Sequence, residues 1–282
     1  MTLREAYNNC RSQLSENGFE SPDFEAMTLL DKAVGCDRIK LISRGGEELD
    51  DKAVELVDKL LKKRLAHVPL QYIAGCWSFC GFEFLVGEGV LIPRDDTEVV
   101  VKLCIEYLKD KPGAKAIDLC AGSGAISVAL NKLAHADIEA VELSGEAFEF
   151  LKKNIELNEA KVKPVRDDIF TCHSKYPDRS FDLIVSNPPY IMRDELPTLQ
   201  KELQYEPEIA LIGGESGYDF YEAIVADWSF KLKHGGAMAF EVGEGQAQRV
   251  AMMMKQKGFS EIHIEKDFGD IQRAIIGTML YK

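Results

Sequence analysis

The sequence predicts an α/β protein: a doubly wound, mainly parallel sheet with an antiparallel edge hairpin, preceded by a small helical domain that a β-hairpin joins to it. Three observations carry that reading. From Ala114 onward, short strand-like runs alternate with helical patterns, as parallel strands with right-handed crossovers require. Near the end, two strand-like runs follow one another with no helix between them, which calls for an antiparallel pair at one edge. Before residue 75 the apolar residues recur at helical spacing instead.

The helical part opens on Thr2 and Glu5, which fit a capping box. Leu3, Ala6, Tyr7, Cys10 and Leu14 then share one face, and Gly18 is a C-terminal stop. Ser21-Pro22 starts a second helix with Ser as cap and Pro at the first turn. Its apolar side is Phe24, Met27, Leu30, Ala33 and Val34, and Gly35 ends it. A third helix runs from about Asp51 to His67, with Val54, Val57, Leu60, Leu61 and Leu65 inward. Residues 69–75 break the helical pattern. Next, Trp77-Ser78-Phe79 and Phe82 to Val86 flank Cys80-Gly81, a hairpin signal. The expected division is 1–74 for the bundle, 75–92 for the hairpin connector and 93–282 for the α/β domain.

Asp95, Asp96 and Thr97 are all cap candidates for a helix over 97–108. Their structural role is capping and complementing the helix dipole; the functional alternative is that Arg94 or a neighbour borders a ligand site. Strands are expected at 116–120, 136–142, 162–169, 181–186 and 237–242. Helices are expected at 125–133, 145–157, 218–233 and 246–257, with closing strands near 261–265 and 273–280.

The chain has 282 residues, 46% apolar and 29% charged, enough for one large and one small domain. No apolar run reaches the about 18 residues of a membrane span. The polar start Met1-Thr2-Leu3-Arg4-Glu5 lacks a secretory core, and the seven cysteines are odd in number and scattered. Both features point to the cytoplasm. The net charge of −13 disfavours unaided binding to a nucleic-acid backbone, which needs clustered Lys and Arg. Cys76 and Cys80 lie four apart, but no second pair follows and the five His are dispersed, so no metal site is expected.

Two stretches carry chemistry. The first is Asp118 followed by Ala121-Gly122-Ser123-Gly124-Ala125. A dinucleotide fingerprint wants a third Gly where Ser127 stands, so that reading fails. What remains is a turn whose glycines let a ligand approach the backbone. Asp118 can hold an amino group or order a loop. Glu142, at the tip of the second strand, suits two ribose hydroxyls, and Asp168, followed by Ile169, suits an adenine amine. An adenosine with a charged amino-acid tail and no phosphate matches the set: S-adenosylmethionine.

The second stretch is Asn187-Pro188-Pro189-Tyr190, directly after the apolar run Phe181 to Ser186. Two prolines cannot continue a strand, because neither has an N–H to give. The chain therefore stops at the carboxyl end, where ligands sit in open α/β sheets. An amide nitrogen is a poor nucleophile, since its lone pair is delocalised into the carbonyl. Asn187 Oδ1 and the Pro188 carbonyl can accept its two N–H groups, orient it and favour charge moving onto it. Tyr190 can stack on the amide plane; the structural alternative is a turn that closes the strand, with Tyr190 as packing. Asn187 also borders the cofactor side.

The residues D-L-C-A-G-S-G-A-I, V-E-L-S and F-D-L-I-V-S-N-P-P-Y-I resemble a class I, Rossmann-like S-adenosylmethionine-dependent methyltransferase that acts on an amide or exocyclic amine. P-L-Q-Y-I-A-G, G-V-L-I-P-R-x-D-T-E, Y-E-P-E-I-A-L and G-G-E-S-G narrow the resemblance to the peptide chain release factor glutamine N5-methyltransferases, over nearly the whole chain. The resemblance implies transfer to the glutamine of a Gly-Gly-Gln loop, with release factors as partners recognised by the helical domain and hairpin. One departure is Asp95, where the family usually has Pro. Two other readings follow from the same residues: a DNA or RNA adenine N6-methyltransferase acting on a flipped base, and a methyl-donor-binding scaffold without catalysis.

Overall fold

The computed structural model describes residues 1–281, which divide into two compact units. The first comprises Met1–Cys76 and Gln200–Tyr205, the second Trp77–Leu199 and the described residues from Glu206 onward. Both hairpin strands other than Cys76 thus group with the α/β unit, and a six-residue piece of late sequence groups with the helices.

In the helical unit, α1 (Leu3–Glu16) has its capping box complete, with Thr2 Oγ1 accepting from Glu5 N and Glu5 accepting from Thr2 N. Helix α2 (Pro22–Val34) starts on Pro22 alone: the Ser21 side chain makes no cap hydrogen bond, contrary to expectation. Its inward face is Ala26, Leu29 and Leu30, while Phe24 is turned out at 56% exposure. The 3.6-residue period runs through 26, 29 and 30, and Phe24 falls on the opposite side of the helix. Helix α3 (Arg38–Arg44), capped by Asp37, was not expected, because so short a segment has little periodicity. Helix α4 (Asp51–Leu65) is capped by Asp50. Residues 69–75, read as a break, form α5 (Leu70–Ala74), closed by Gly75 at φ +82. Arg64 is buried between Glu25 (Nε to Oε2, 2.6 Å) and Glu202 (2.9 Å), and Tyr205 donates to the Ala66 carbonyl, so 200–205 is held on this unit by charge and hydrogen bonding.

The second unit begins with the strands β1 (Cys76–Phe79) and β2 (Phe82–Leu85). Cys80 and Gly81 both have positive φ (49° and 80°), the mirror-image turn that suits hairpin twist. Helix α6 (Thr97–Leu108) follows, then β3 (Lys115–Leu119), α7 (Ala125–Ala134), β4 (Asp137–Glu142), α8 (Gly145–Leu157) and β5 (Val162–Arg166). Beyond these come α9 (Ile169–Cys172), β6 (Phe181–Ser186), α10 (Glu208–Leu211) and α11 (Asp219–Ala223). The chain ends with β7 (Leu232–Glu241), α12 (Ala247–Lys257), β8 (Phe259–Lys266) and β9 (Gln272–Met279).

Among the described residues, seven strands form one sheet in the order β5-β4-β3-β6-β7-β9-β8; the pairs up to β7 are parallel and β9 runs antiparallel to both β7 and β8. Alternate residues feed two cores. Ala116, Ile138, Leu183 and Ala237 pack with Val100, Val128 and Leu151 on one face. Ile117, Ile184, Met238 and Ile275 pack with Tyr221, Trp228 and Met254 on the other. The sheet is therefore covered on both sides, as its near-continuous apolar strands require.

Three local expectations are corrected. Strand β5 stops at Arg166, so Asp167 and Asp168 lie beyond it, where Asp168 caps α9. The helix expected at 218–233 is α11, then a π-turn over Ile224–Trp228 and a 3₁₀ turn over Ser229–Lys231. Asp96 stands at the start of α6 but its carboxylate caps nothing; it faces Arg273 at 3.3 Å. Among the described residues no helix is long and apolar enough to cross a membrane.

Candidate active site

Strand β3 has β4 on one side and β6 on the other, so successive crossovers leave it in opposite directions and open a crevice at its carboxyl end. Beyond β3 the chain turns through Cys120, Gly122 and Gly124, all at positive φ (64°, 55° and 84°). The two glycines serve different ends. A Cβ on Gly124 would lie 2.5 Å from Leu151 Cδ1, so that glycine admits α8. A Cβ on Gly122 would meet nothing within 4 Å, so that position faces open space.

Glu142 ends β4 beside the turn. Its Oε2 accepts from Gly122 N (2.8 Å) and its Oε1 from Ser144 N (2.7 Å), which ties two loops together. Burial raises its pKa, and those backbone N–H groups oppose the rise. Asp168 Oδ1 accepts from Phe170 N (2.9 Å) at the start of α9. Glu142, Asp168 and Ile169 line one cavity together with Gly122, Asn187 and Pro189. Leu91, Val141, Leu143 and Phe170 give the same cavity apolar walls.

Other expected residues are not at that surface. Asp118 is fully buried beneath the turn, with Ser127 Oγ donating to its Oδ2 at 2.6 Å. Of its two roles, ordering the loop is therefore the one its position permits. Burial pushes its carboxyl up to about 7 against the Ser127 hydrogen bond, and Oδ1 has no hydrogen-bond partner. Ala121, Ser123, Gly124 and Ala125 shape the turn from behind rather than lining the cavity. Arg94 does not border it either. It pairs with the buried Glu206, which also accepts from Ile92 N (3.0 Å), so the Leu91 loop is clipped to the segment before α10. The loop's neighbours Gly89 and Leu91 are the residues that reach the cavity.

Asn187 follows β6 directly. Its Nδ2 donates to Thr97 Oγ1 (3.4 Å), and Thr97 Oγ1 donates to Glu241 Oε2 (2.5 Å). Tyr190 hangs on the same carboxylate, its hydroxyl 3.2 Å from Glu241 Oε1. Burial and the nearby carboxylate hold the Tyr190 hydroxyl far above its ordinary range. Gln246 Nε2 donates to the Tyr190 carbonyl (3.0 Å), and a Cβ on Gly213 would come within 2.7 Å of Tyr190 Cα. The turn after Asn187 is thus gripped from several sides. Among the described residues the Pro188 carbonyl accepts no hydrogen bond.

Glu241, Thr97 as more than a cap, Glu206 as a clip, Asn154 and Gln246 were not expected at the site. Glu241 had a usable signal, since it is an acid at a strand's carboxyl end like Glu142. Asn154 and Gln246 had none, because a lone polar residue on a helix says nothing of its partners. Among the described residues no cluster of His, Cys, Asp and Glu is placed to hold a metal ion.

A family model described as "PrmC N-terminal domain" matches residues 5–75, and one described as "Methyltransferase small domain" matches residues 90–203. The chain is 39% identical to a release factor glutamine methyltransferase of Geobacter sulfurreducens, over 99% of this chain and 97% of that one. It is 35% identical to that of Clostridium acetobutylicum, over 99% of each. A solved structure described as a release factor-specific protein-(glutamine-N5) methyltransferase from Alicyclobacillus acidocaldarius is 30% identical. It covers 70% of this chain and 100% of that chain, with a TM-score of 0.44. The sheet, its carboxyl-end cavity, the methyltransferase family model and the two relatives define an enzyme of the methyltransferase class. Within that class the chain belongs to the release factor glutamine methyltransferase family.

Proposed function

We propose that this enzyme transfers a methyl group from S-adenosylmethionine to the side-chain N5 of the glutamine in the Gly-Gly-Gln motif of peptide chain release factors. The observation that carries the reading is that Glu142 at the end of β4, Asp168 at the cap of α9 and Asn187 after β6 line one cavity.

The residues present fit the donor. Each Glu142 oxygen gives one lone pair to a backbone N–H and keeps another, enough for two ribose hydroxyls. Asp168 keeps Oδ2 for an adenine amine, since only Oδ1 is engaged by Phe170 N. Leu143, Ile169 and Phe170 offer apolar walls to a flat base, and Gly122 leaves room for a ligand beside the backbone. When bound, the donor supplies a methyl group already activated on a sulfonium.

The chain's own residues do the rest. Asn187 Oδ1 and the Pro188 carbonyl accept the two N–H groups of the target amide, holding the nitrogen in line and favouring charge on it. Tyr190, anchored through its hydroxyl to Glu241, presents a fixed ring plane to the amide. No charged base is required, because the methylated nitrogen becomes acidic and its proton passes to water. The helical unit and hairpin are the surfaces assigned to the release factor, and the cytoplasm is the expected site of action.

Incubation with donor and a purified release factor, then digestion and mass spectrometry, should show a one-methyl gain on the Gly-Gly-Gln peptide. Asn187→Ala should abolish the gain while the protein still folds. Transfer to adenine in oligonucleotides, with none to the release factor, would overturn the reading.

A further inference from the structure

We propose that Thr97 and Glu241 are positioning residues for Asn187, locking its carboxamide with the amino group turned inward and the oxygen turned to the substrate. This rests on the amide-methylating role of Asn187 proposed above.

The number of hydrogens around the Glu241 carboxylate fixes the orientation. Glu241 closes β7 and is 2% exposed; Thr97 opens α6 and is 4% exposed. An ionised carboxylate carries lone pairs only. Both hydroxyls that reach Glu241, those of Thr97 and Tyr190, must therefore donate to it. Once the Thr97 hydrogen is committed to Glu241, its oxygen offers Asn187 a lone pair and nothing else. Only the N–H end of Asn187 can meet that, as the Nδ2 contact records. A carboxamide has nearly the same shape when flipped, so packing alone does not choose its orientation. Flipped, Asn187 would present a donor to an amide that itself needs an acceptor. The relay thus decides the polarity of the site.

Protonation of Glu241 undoes the lock. A neutral carboxyl can donate to Thr97, which frees the Thr97 hydrogen for Asn187 Oδ1 and favours the flipped amide. The groups facing Glu241 are Thr97 and Asp96 from α6, Tyr190 from the turn after β6, and Arg273 from β9, itself paired with Asp96 and Asp267. The Tyr221 hydroxyl touches Glu241 through its backbone carbonyl, not its carboxylate. Burial lifts the carboxyl to about 6, the Thr97 and Tyr190 hydrogen bonds oppose the rise, Asp96 adds to it and Arg273 opposes it.

Two measurements on the full chain test the lock. Thr97→Val keeps shape and removes the hydroxyl, and should lower kcat on a release factor about tenfold or more, the order set by one lost orienting hydrogen bond. KM and donor affinity should stay unchanged, and Thr97→Ser should keep wild-type kcat. Equal losses in both variants, or no loss in Thr97→Val, overturn the proposal. The second measurement needs no substrate. In protein labelled with ¹⁵N-asparagine, the Asn187 side-chain amide should shift with a midpoint near 6, and the shift should vanish in Glu241→Gln and in Thr97→Val. An amide that ignores pH in the wild type overturns the relay even if another substrate is methylated. Absence of release-factor methylation with the amide titrating refutes only the substrate.

Discussion

Replacing Asn154 by Ala should be among the most damaging single changes outside the site. This side chain on α8 is fully buried and makes three hydrogen bonds. Its Oδ1 accepts from Leu85 N (2.7 Å), and its Nδ2 donates to the Leu85 carbonyl (3.1 Å) and the Ser123 carbonyl (3.0 Å). One residue thereby stitches β2 to the glycine turn. Truncation strands the Ser123 carbonyl in a dry place and both Leu85 groups at a half-wet edge. At about 1–3 kcal/mol for the dry group and about 1 for each of the others, the loss is roughly 3–5 kcal/mol. For a protein of this size that is a fall in Tm of roughly 10 °C. Scanning calorimetry of the two proteins measures it directly. Donor affinity should fall as well, since Ser123 belongs to the turn. Asn154→Asp should be worse than Ala at neutral pH, because a carboxylate would face two carbonyl oxygens, and should recover partly in acid. An Ala variant melting within a degree or two of wild type would refute the reasoning.

Two more outcomes are expected. Glu142→Ala removes the acceptor assigned to the ribose and releases Gly122 and Ser144, so donor affinity should weaken by about a hundredfold, as for two charge-assisted hydrogen bonds; unchanged affinity in titration calorimetry would count against the strand-tip assignment. Asp118 has its folded pKa raised from 3.8 to about 7, so its ionisation opposes folding. The penalty is absent below about pH 4, grows through the interval and is complete above about pH 7. Asp118→Asn should therefore gain stability relative to wild type as pH rises from 4 to 7, measured by denaturant unfolding, and a difference that is flat with pH would show the burial argument to be wrong.

Much of the fold was legible because its signals are local. The Thr2–Glu5 capping box, the Cys80-Gly81 turn, the start of α6 at Thr97 and the span of α8 need only a few neighbouring residues to be recognised. The misses have physical causes of two kinds. Helices α3 and α5 are too short to show a period, and the π-turn over Ile224–Trp228 keeps helical composition while changing its hydrogen bonds. Ser21 has the right chemistry for a cap, but its backbone (φ −123°, ψ 56°) is outside the extended region from which a cap side chain reaches the N–H groups of the first turn. Gln200–Tyr205 joins the helical unit through Arg64 and Ala66, partners that lie more than a hundred residues away in sequence.

By itself the sequence determined the kind of sheet, the strand ends that carry Glu142 and Asn187, and the stop of β6 at Asn187-Pro188. These follow from alternation, strand-stopping prolines and residue chemistry, all readable along the chain. Only the tertiary structure decided which acid does what. Asp118 and Glu142 are both strand carboxylates, yet one is sealed under α7 and the other opens on the cavity, because burial depends on what packs against a strand. Glu241, Thr97 and Tyr190 are spread over 144 positions of sequence and meet at one carboxylate. Their hydrogen bonds exist only once α6, β6 and β7 are side by side, and that meeting gives Asn187 its orientation.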